Sequence, residues 1–192
     1  MKNIYITLAV GIILIGGFYA FNAYIYNEEQ AHRAFYYKDA LYLIDEQWVA
    51  LGESMSSVPL SESKITTKYF GNELKTDLNN DGVEDIAFIV TQETGGSGVF
   101  YYAVGAVMTE EGYMGTEGFL LGDRIAPQTT NINSNPRHKN VVVFNYADRA
   151  VGEPMIARPS IGKSVYLKLV SESMRWAIVE PDFEGESNVG SF

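Results

Sequence analysis

The chain begins with a run from Ile4 to Tyr26 that holds 23 residues without a charge, and beyond it apolar and polar positions alternate in short stretches. At 1.5 Å of rise per helical residue, the first run is long enough to cross about 30 Å of hydrocarbon. It predicts one N-terminal transmembrane helix over 1–26. Tyr19, Tyr24 and Tyr26 at its far end suit an interfacial aromatic belt. No Ala-x-Ala site precedes Asn27, which favours an uncleaved anchor over a signal peptide. Lys2 and the terminal amine nearly balance Arg33 and Lys38 across the span, and the short head before Ile4 matches a signal anchor with its N-terminus inside. The expectation is a single-pass protein of the cell membrane with the rest of the chain outside the cytoplasm.

After a juxtamembrane stalk over 27–37, the period changes to that of strands. Ala40 to Ile44 and Trp48 to Leu51 read as two strands around a turn at Asp45, Glu46 and Gln47, and Gly52 to Ser63 reads as a loop. Lys64 to Phe70 sets Ile65, Thr67 and Tyr69 against Lys64, Thr66 and Lys68, a strand with one wet face. Ile86 to Val90 is apolar on both faces, as a central strand would be, and Gly95 to Gly98 connects it to Val99–Met108 as a hairpin. A turn at Glu111 and Gly112 leads to Phe119–Leu121. Further strands are expected at Ile125–Ile132, Val141–Tyr146, Val165–Val170 and Arg175–Val179, separated by segments carrying Pro136, Pro154 and Pro159. The pattern predicts a mainly β domain over 38–181, an antiparallel sandwich or partly closed barrel, with no helix beyond the anchor and a disordered tail over 182–192.

Composition narrows the function. The chain has 192 residues, 14 basic and 24 acidic, and Lys2 is the only charge before Glu28, so the region past the anchor carries 13 basic against 24 acidic side chains, a net of −11. Such a surface repels phosphate backbones, which excludes nucleic acid as a partner. Cysteine is absent, which removes disulfides, thiolate zinc sites and thiol nucleophiles. His32 and His138 are the two histidines, too few for a His-rich metal site, and His32 adjoins the anchor.

One segment carries specific chemistry. Asp77-Leu-Asn-Asn-Asp-Gly-Val-Glu-Asp85 puts oxygen-bearing side chains at loop positions 1, 3, 5 and 9 and glycine at position 6. In calcium loops of this spacing alternate residues turn inward, the glycine permits a sharp bend, and position 7 offers its backbone carbonyl. Asp77, Asn79, Asp81, Val83 and Asp85 are therefore the candidate ligands of a structural Ca2+. An EF-hand would need a bidentate Glu at position 12 and a following helix; Phe88 stands there, in a strand-like run. The alternative is a solvated Asx-rich turn.

Other constellations are weaker. Ala157-Arg-Pro-Ser-Ile-Gly-Lys-Ser164 matches a loosened phosphate-loop pattern, but Val165 to Val170 alternates as a strand where a helix should begin, so nucleotide binding is not expected. Asp123-Arg124 and Asp148-Arg149 are carboxylate–arginine pairs of the kind hydrolases use; neighbours along a strand point to opposite faces, so cross-strand ion pairing is the expected use.

The Asp77–Asp85 segment resembles the loop of an FG-GAP repeat, over about Thr76 to Val107, in a single copy that does not imply a propeller. Lys68-Tyr-Phe-Gly-Asn-Glu73, the Asp77–Asp85 loop, Gly95-Gly-Ser-Gly-Val-Phe-Tyr-Tyr102, Leu120 to Thr130 and Asn145-Tyr-Ala-Asp-Arg149 together resemble a group of uncharacterised bacterial membrane-anchored envelope proteins. Asn80 stands where the commoner form of the loop has glycine. The resemblance implies an exported, tethered domain and supplies no activity. The leading expectation is a non-enzymatic, calcium-stabilised module that binds an envelope protein or glycan. The alternatives are a hydrolase using Asp123, Asp148 or Glu153, and a purely structural tether.

Overall fold

The structure, a computed structural model, describes residues 35–52, 55–60 and 63–181. The expected anchor, most of the stalk and the tail lie outside the described residues, among which no helix is long and apolar enough to cross a membrane. The domain is mainly β: one turn of 3-10 helix, Tyr37–Asp39, is followed by twelve strands. Among the described residues three antiparallel sheets form, and none closes.

The largest sheet has the order β3 (Met55–Leu60), β4 (Ser63–Thr76), β5 (Asp85–Glu93), β6 (Phe100–Thr109), β7 (Gly112–Gly115), with β8 (Phe119–Asp123) also on β6. β7 and β8 share one edge of β6: Ala106–Thr109 pairs with β7 and Phe100–Ala103 with β8. Between them Thr116 bridges to Gly105, whose N–H donates to Thr116 Oγ1 at 2.8 Å. A second sheet runs β12 (Arg175–Ile178), β11 (Ile161–Val170), β10 (Val141–Asp148), β9 (Ala126–Ile132). The third is the hairpin β1 (Leu41–Ile44) and β2 (Gln47–Ala50).

β5 organises the packing, because its alternate residues enter two different cores. Ile86, Phe88 and Val90 join Tyr42, Ile44, Val49 and Leu51 of the hairpin layer. Ala87 and Ile89 join Val142, Phe144, Leu167 and Leu169 of the second sheet. Phe88 is fully buried, with the rings of Tyr37, Tyr42 and Tyr69 at centroid distances of 5.4, 5.5 and 5.6 Å. Each such aromatic pair adds roughly 0.5–1.5 kcal/mol beyond area burial. Tyr37, expected in the stalk, is part of this core.

Several boundaries differ from the sequence expectation, among them the start of β11, which lies at Ile161 rather than Val165. The segment Gly52–Ser63, expected to be a loop, contains strand β3, whose backbone pairs with β4 from Met55↔Lys68 to Leu60↔Ser63. β4 continues past Phe70 to Thr76 through two register shifts, at Tyr69/Gly71 and Gly71/Leu74, where Gly71 and Asn72 take positive φ. That bulge breaks the alternation by which a strand is recognised, and it brings Tyr69 and Glu73 to one side. β7 follows the Glu111–Gly112 turn directly, where no strand was expected.

Candidate functional site

The turn between β4 and β5 folds around the Asp77 carboxylate. Asp77 Oδ1 accepts from the N–H groups of Asn80 and Asp81 at 2.6 and 3.2 Å, and Oδ2 accepts from Gly82 N–H at 2.9 Å. Asn80 and Gly82 hold φ of 66° and 86°. Both values lie in the left-handed region that glycine occupies freely and asparagine tolerates. This accounts for Gly82 and for the asparagine at position 80. Leu78, 1% exposed, roots the loop in the second core.

Asn79 and Asp81 face each other: Asn79 Nδ2 donates to Asp81 Oδ2 at 2.7 Å, and Asp81 Oδ1 accepts from Val83 N–H at 2.7 Å. Val83 is exposed at the tip. Asp85 is different, being fully buried at the start of β5. Its Oδ2 accepts from Leu78 N–H at 2.9 Å, closing the loop, and its Oδ1 accepts from Met108 N–H at 2.8 Å, fixing the end of β6. Burial pushes the Asp85 carboxyl above its ordinary range; the two backbone donors pull the other way, and the nearby charges of Asp81 and Asp77 add to the rise.

The structure thus brings Asp77, Asn79, Asp81 and Asp85 into one turn. As they stand, no three His, Asp or Glu side chains among the described residues are gathered into a cluster able to hold a metal ion. The chemistry of the donor set nevertheless fits calcium. The oxygens are hard donors, Asp77 Oδ2, both Asp81 oxygens and both Asp85 oxygens each accept one hydrogen bond and keep a second lone pair, and the exposed Asp81 side chain sits at the loop surface. The reason an EF-hand fails is also visible: Phe88 lies inside β5, buried in the core.

The hydrolase candidates are engaged separately. Asp123 pairs with Arg124, Nη2 to Oδ2 at 3.0 Å, and also accepts from Val99 N–H. This corrects the expectation that neighbouring residues cannot act together: Arg124 lies past the end of β8 with φ of 48°, so its side chain returns to the preceding carboxylate. Asp148 pairs across strands with Lys163 at 2.7 Å, as the sequence suggested. The Lys163 ammonium holds the Asp148 carboxyl below its usual range, against the demand on a general acid. Glu153 accepts from Ala150 N–H within its own turn. A cavity of about 110 Å³ lined by Glu117, Gly118, Phe119, Arg175 and Trp176 is well below the ~300 Å³ at which ligand pockets begin. Gly162, Lys163 and Ser164 of the phosphate-loop-like stretch lie within strand β11, with no helix N-terminus to hold a phosphate.

Sequence reasoning missed a polar–aromatic cluster beside the hairpin layer. The Glu73 carboxylate accepts from the hydroxyls of both Tyr37 and Tyr69, and Lys38 Nζ lies 3.6 Å from the Tyr69 ring centroid. Burial alone would raise the Glu73 pKa, but the two phenols, with Lys38 and Lys75 nearby, bring it below the ordinary value. The cluster fastens the first turn of the domain to β4. Its only sequence signal is the tyrosine density, because the bulge that unites Tyr69 with Glu73 leaves no periodic trace.

The chain matches no protein-family model, no curated protein and no solved structure.

Proposed function

We propose that this chain is a membrane-tethered, extracytoplasmic β domain, stabilised by calcium at Asp77–Asp85, that binds an envelope protein or glycan. The observation that carries the reading is the folded turn itself. A carboxylate at position 1 collects the N–H groups of positions 4, 5 and 6, two positive-φ residues shape the bend, and the buried Asp85 feels the charges of Asp77 and Asp81. Asp77, Asn79 and Asp81 through side chains, Val83 through its carbonyl and Asp85 at the base are the residues that would hold the ion. Calcium would supply positive charge beside the Asp77, Asp81 and Asp85 carboxylates, and would tie β4 to β5.

The uncharged Ile4–Tyr26 run supports the tether, and a calcium-loop module suits the outside of a cell, where such sites work at roughly 10⁻⁴–10⁻³ M. The dispersed, individually paired Asp123, Asp148 and Glu153 favour binding over hydrolysis. Crosslinking in intact envelopes followed by capture of the full tagged chain, with calcium and with EDTA, tests the reading. Recovery of a defined envelope protein or glycan that is lost with EDTA supports it, and recovery of none in either condition overturns it.

A further inference from the structure

Lys38, in the 3-10 turn, lays its ammonium in a box of tyrosine rings. Its Nζ lies 3.6 Å from the ring centroid of Tyr69, 5.6 Å from that of Tyr37 and 5.8 Å from that of Tyr36. The walls are fixed independently of the lysine. Tyr37 and Tyr69 pack against Phe88 at 5.4 and 5.6 Å, and both hydroxyls donate to the Glu73 carboxylate, so neither ring is free to turn. Tyr36 packs on Tyr37 with centroids 4.8 Å apart and is 48% exposed, which leaves the box open to solvent on that side. Three electron-rich ring faces beside a carboxylate are the chemistry that recognises an organic cation.

Lys38 fills this box only in part. Its ammonium touches one ring and falls short of the other two. The methyl groups of a quaternary nitrogen hold it one N–C bond farther out, about 5 Å from each ring it touches. A cation of that size, seated slightly farther from Tyr69, fills the space that the lysine leaves beside Tyr36 and Tyr37. Methylation also removes the N–H donors that make a lysine ammonium strongly hydrated, so a quaternary group gives up less water on entering. The lysine side chain can leave without unseating the turn. The Lys38 carbonyl accepts from the N–H groups of Leu51 and Gly52 at 2.9 and 3.2 Å, which holds the backbone wherever the ammonium goes. Lys75, also near Glu73, is engaged by Glu84 at 3.3 Å.

We propose that Tyr36, Tyr37, Tyr69 and Glu73 form a binding site for a quaternary ammonium group, with Lys38 as a built-in competitor that fills the site until such a ligand displaces it. The site shares no residue with the Asp77–Asp85 loop, so it stands or falls without the calcium reading.

The test uses the full chain in an alkyl maltoside, a detergent without an ammonium group, with choline as the probe. Saturation transfer from the protein to the choline N-methyl protons, titrated over the millimolar range, reads the affinity. Lys38→Ala removes the competitor and is expected to tighten choline binding several-fold over the parent. Tyr36→Ala, at a half-exposed ring, should weaken binding several-fold with the thermal midpoint nearly unchanged. The neutral isostere 3,3-dimethylbutan-1-ol has the same shape without the charge and should give no saturable transfer. No saturable choline signal in Lys38→Ala, an affinity that Lys38→Ala leaves unchanged, or equal transfer to the neutral isostere overturns the site. The same titration in lipid nanodiscs identifies the source of the ligand. A choline signal kept in phosphatidylglycerol discs and lost in phosphatidylcholine discs, whose headgroups already occupy the site, assigns a lipid headgroup. A signal kept in both assigns a ligand from solution, and a signal lost in both overturns the site.

Discussion

Asp85 ties the candidate site to the fold, and its replacement separates a structural role from a metal-binding one. In Asp85→Ala the N–H groups of Leu78 and Met108 lose their acceptor in a fully buried position. Each orphaned donor costs about 1–3 kcal/mol. Loss of a desolvated carboxylate offsets part of this, leaving a net destabilisation of about 2–4 kcal/mol. At about 2–4 °C per kcal/mol for a domain of this size, the midpoint should fall by roughly 4–16 °C. Asp85→Asn keeps one acceptor oxygen while its amide nitrogen faces the other donor, so its cost should be about half as large. Thermal unfolding in EDTA, followed by far-UV circular dichroism and by the fluorescence of Trp176, which packs 6.2 Å from Phe144, reads both values. Amide exchange at Leu78 and Met108 should speed up in the alanine variant. An alanine midpoint within 2 °C of the parent, or an asparagine cost equal to that of alanine, would refute the clamp; the 2 °C margin is about 0.5–1 kcal/mol.

The raised Asp85 pKa also sets a pH dependence. Below ~4 the group is protonated in folded and unfolded chains alike; as pH rises through its folded value the native state must give up a proton it holds more tightly than the unfolded state, so stability falls. Without calcium, the parent should lose stability relative to Asp85→Asn across that window, and parallel midpoints from pH 4 to 7 would contradict the assignment. Gly115→Ala would place a Cβ 2.3 Å from Leu41 O, forcing the hairpin layer off the sheet edge; a cost of about 1–3 kcal/mol with faster exchange at Leu43 and Gly118 is expected, and an unperturbed midpoint would contradict the packing. Phe88→Ala removes the centre of four packed rings and should cost about 3–5 kcal/mol in urea unfolding. Lys163→Ala should raise the Asp148 pKa toward its ordinary value by NMR titration yet change stability by no more than ~1 kcal/mol, because the pair is partly solvated.

What was legible in the sequence follows from which positions are governed locally. Ile86–Val90 announced a central strand because burial on both faces leaves no polar residue in the run. The Asp77–Asp85 turn was legible because glycine and alternate oxygen-bearing side chains are required by its own backbone. β3 was not, since Ser-Met-Ser-Ser-Val-Pro has the composition of a loop and becomes a strand only by pairing with β4; Pro59 is tolerated because β3 is an edge strand. The second half of β4 was hidden by its bulge. The Asp123–Arg124 contact depends on one left-handed residue, which strand alternation cannot anticipate. The twofold role of Asp85, a candidate ligand that is also a buried clamp on β6, comes from a partner at Met108 that is distant along the chain.

The most direct measurement is the thermal midpoint of the full chain in EDTA and in millimolar calcium, for the parent and for Asp81→Asn, which keeps the acceptor for Val83 N–H while removing one charge. The parent should show a calcium-dependent rise, about 1–3 kcal/mol at concentrations ten- to a hundredfold above Kd, that is largely lost in the variant. Midpoints that do not respond to calcium in either chain would contradict it, and would leave Asp77–Asp85 as a polar turn closed by its own hydrogen bonds.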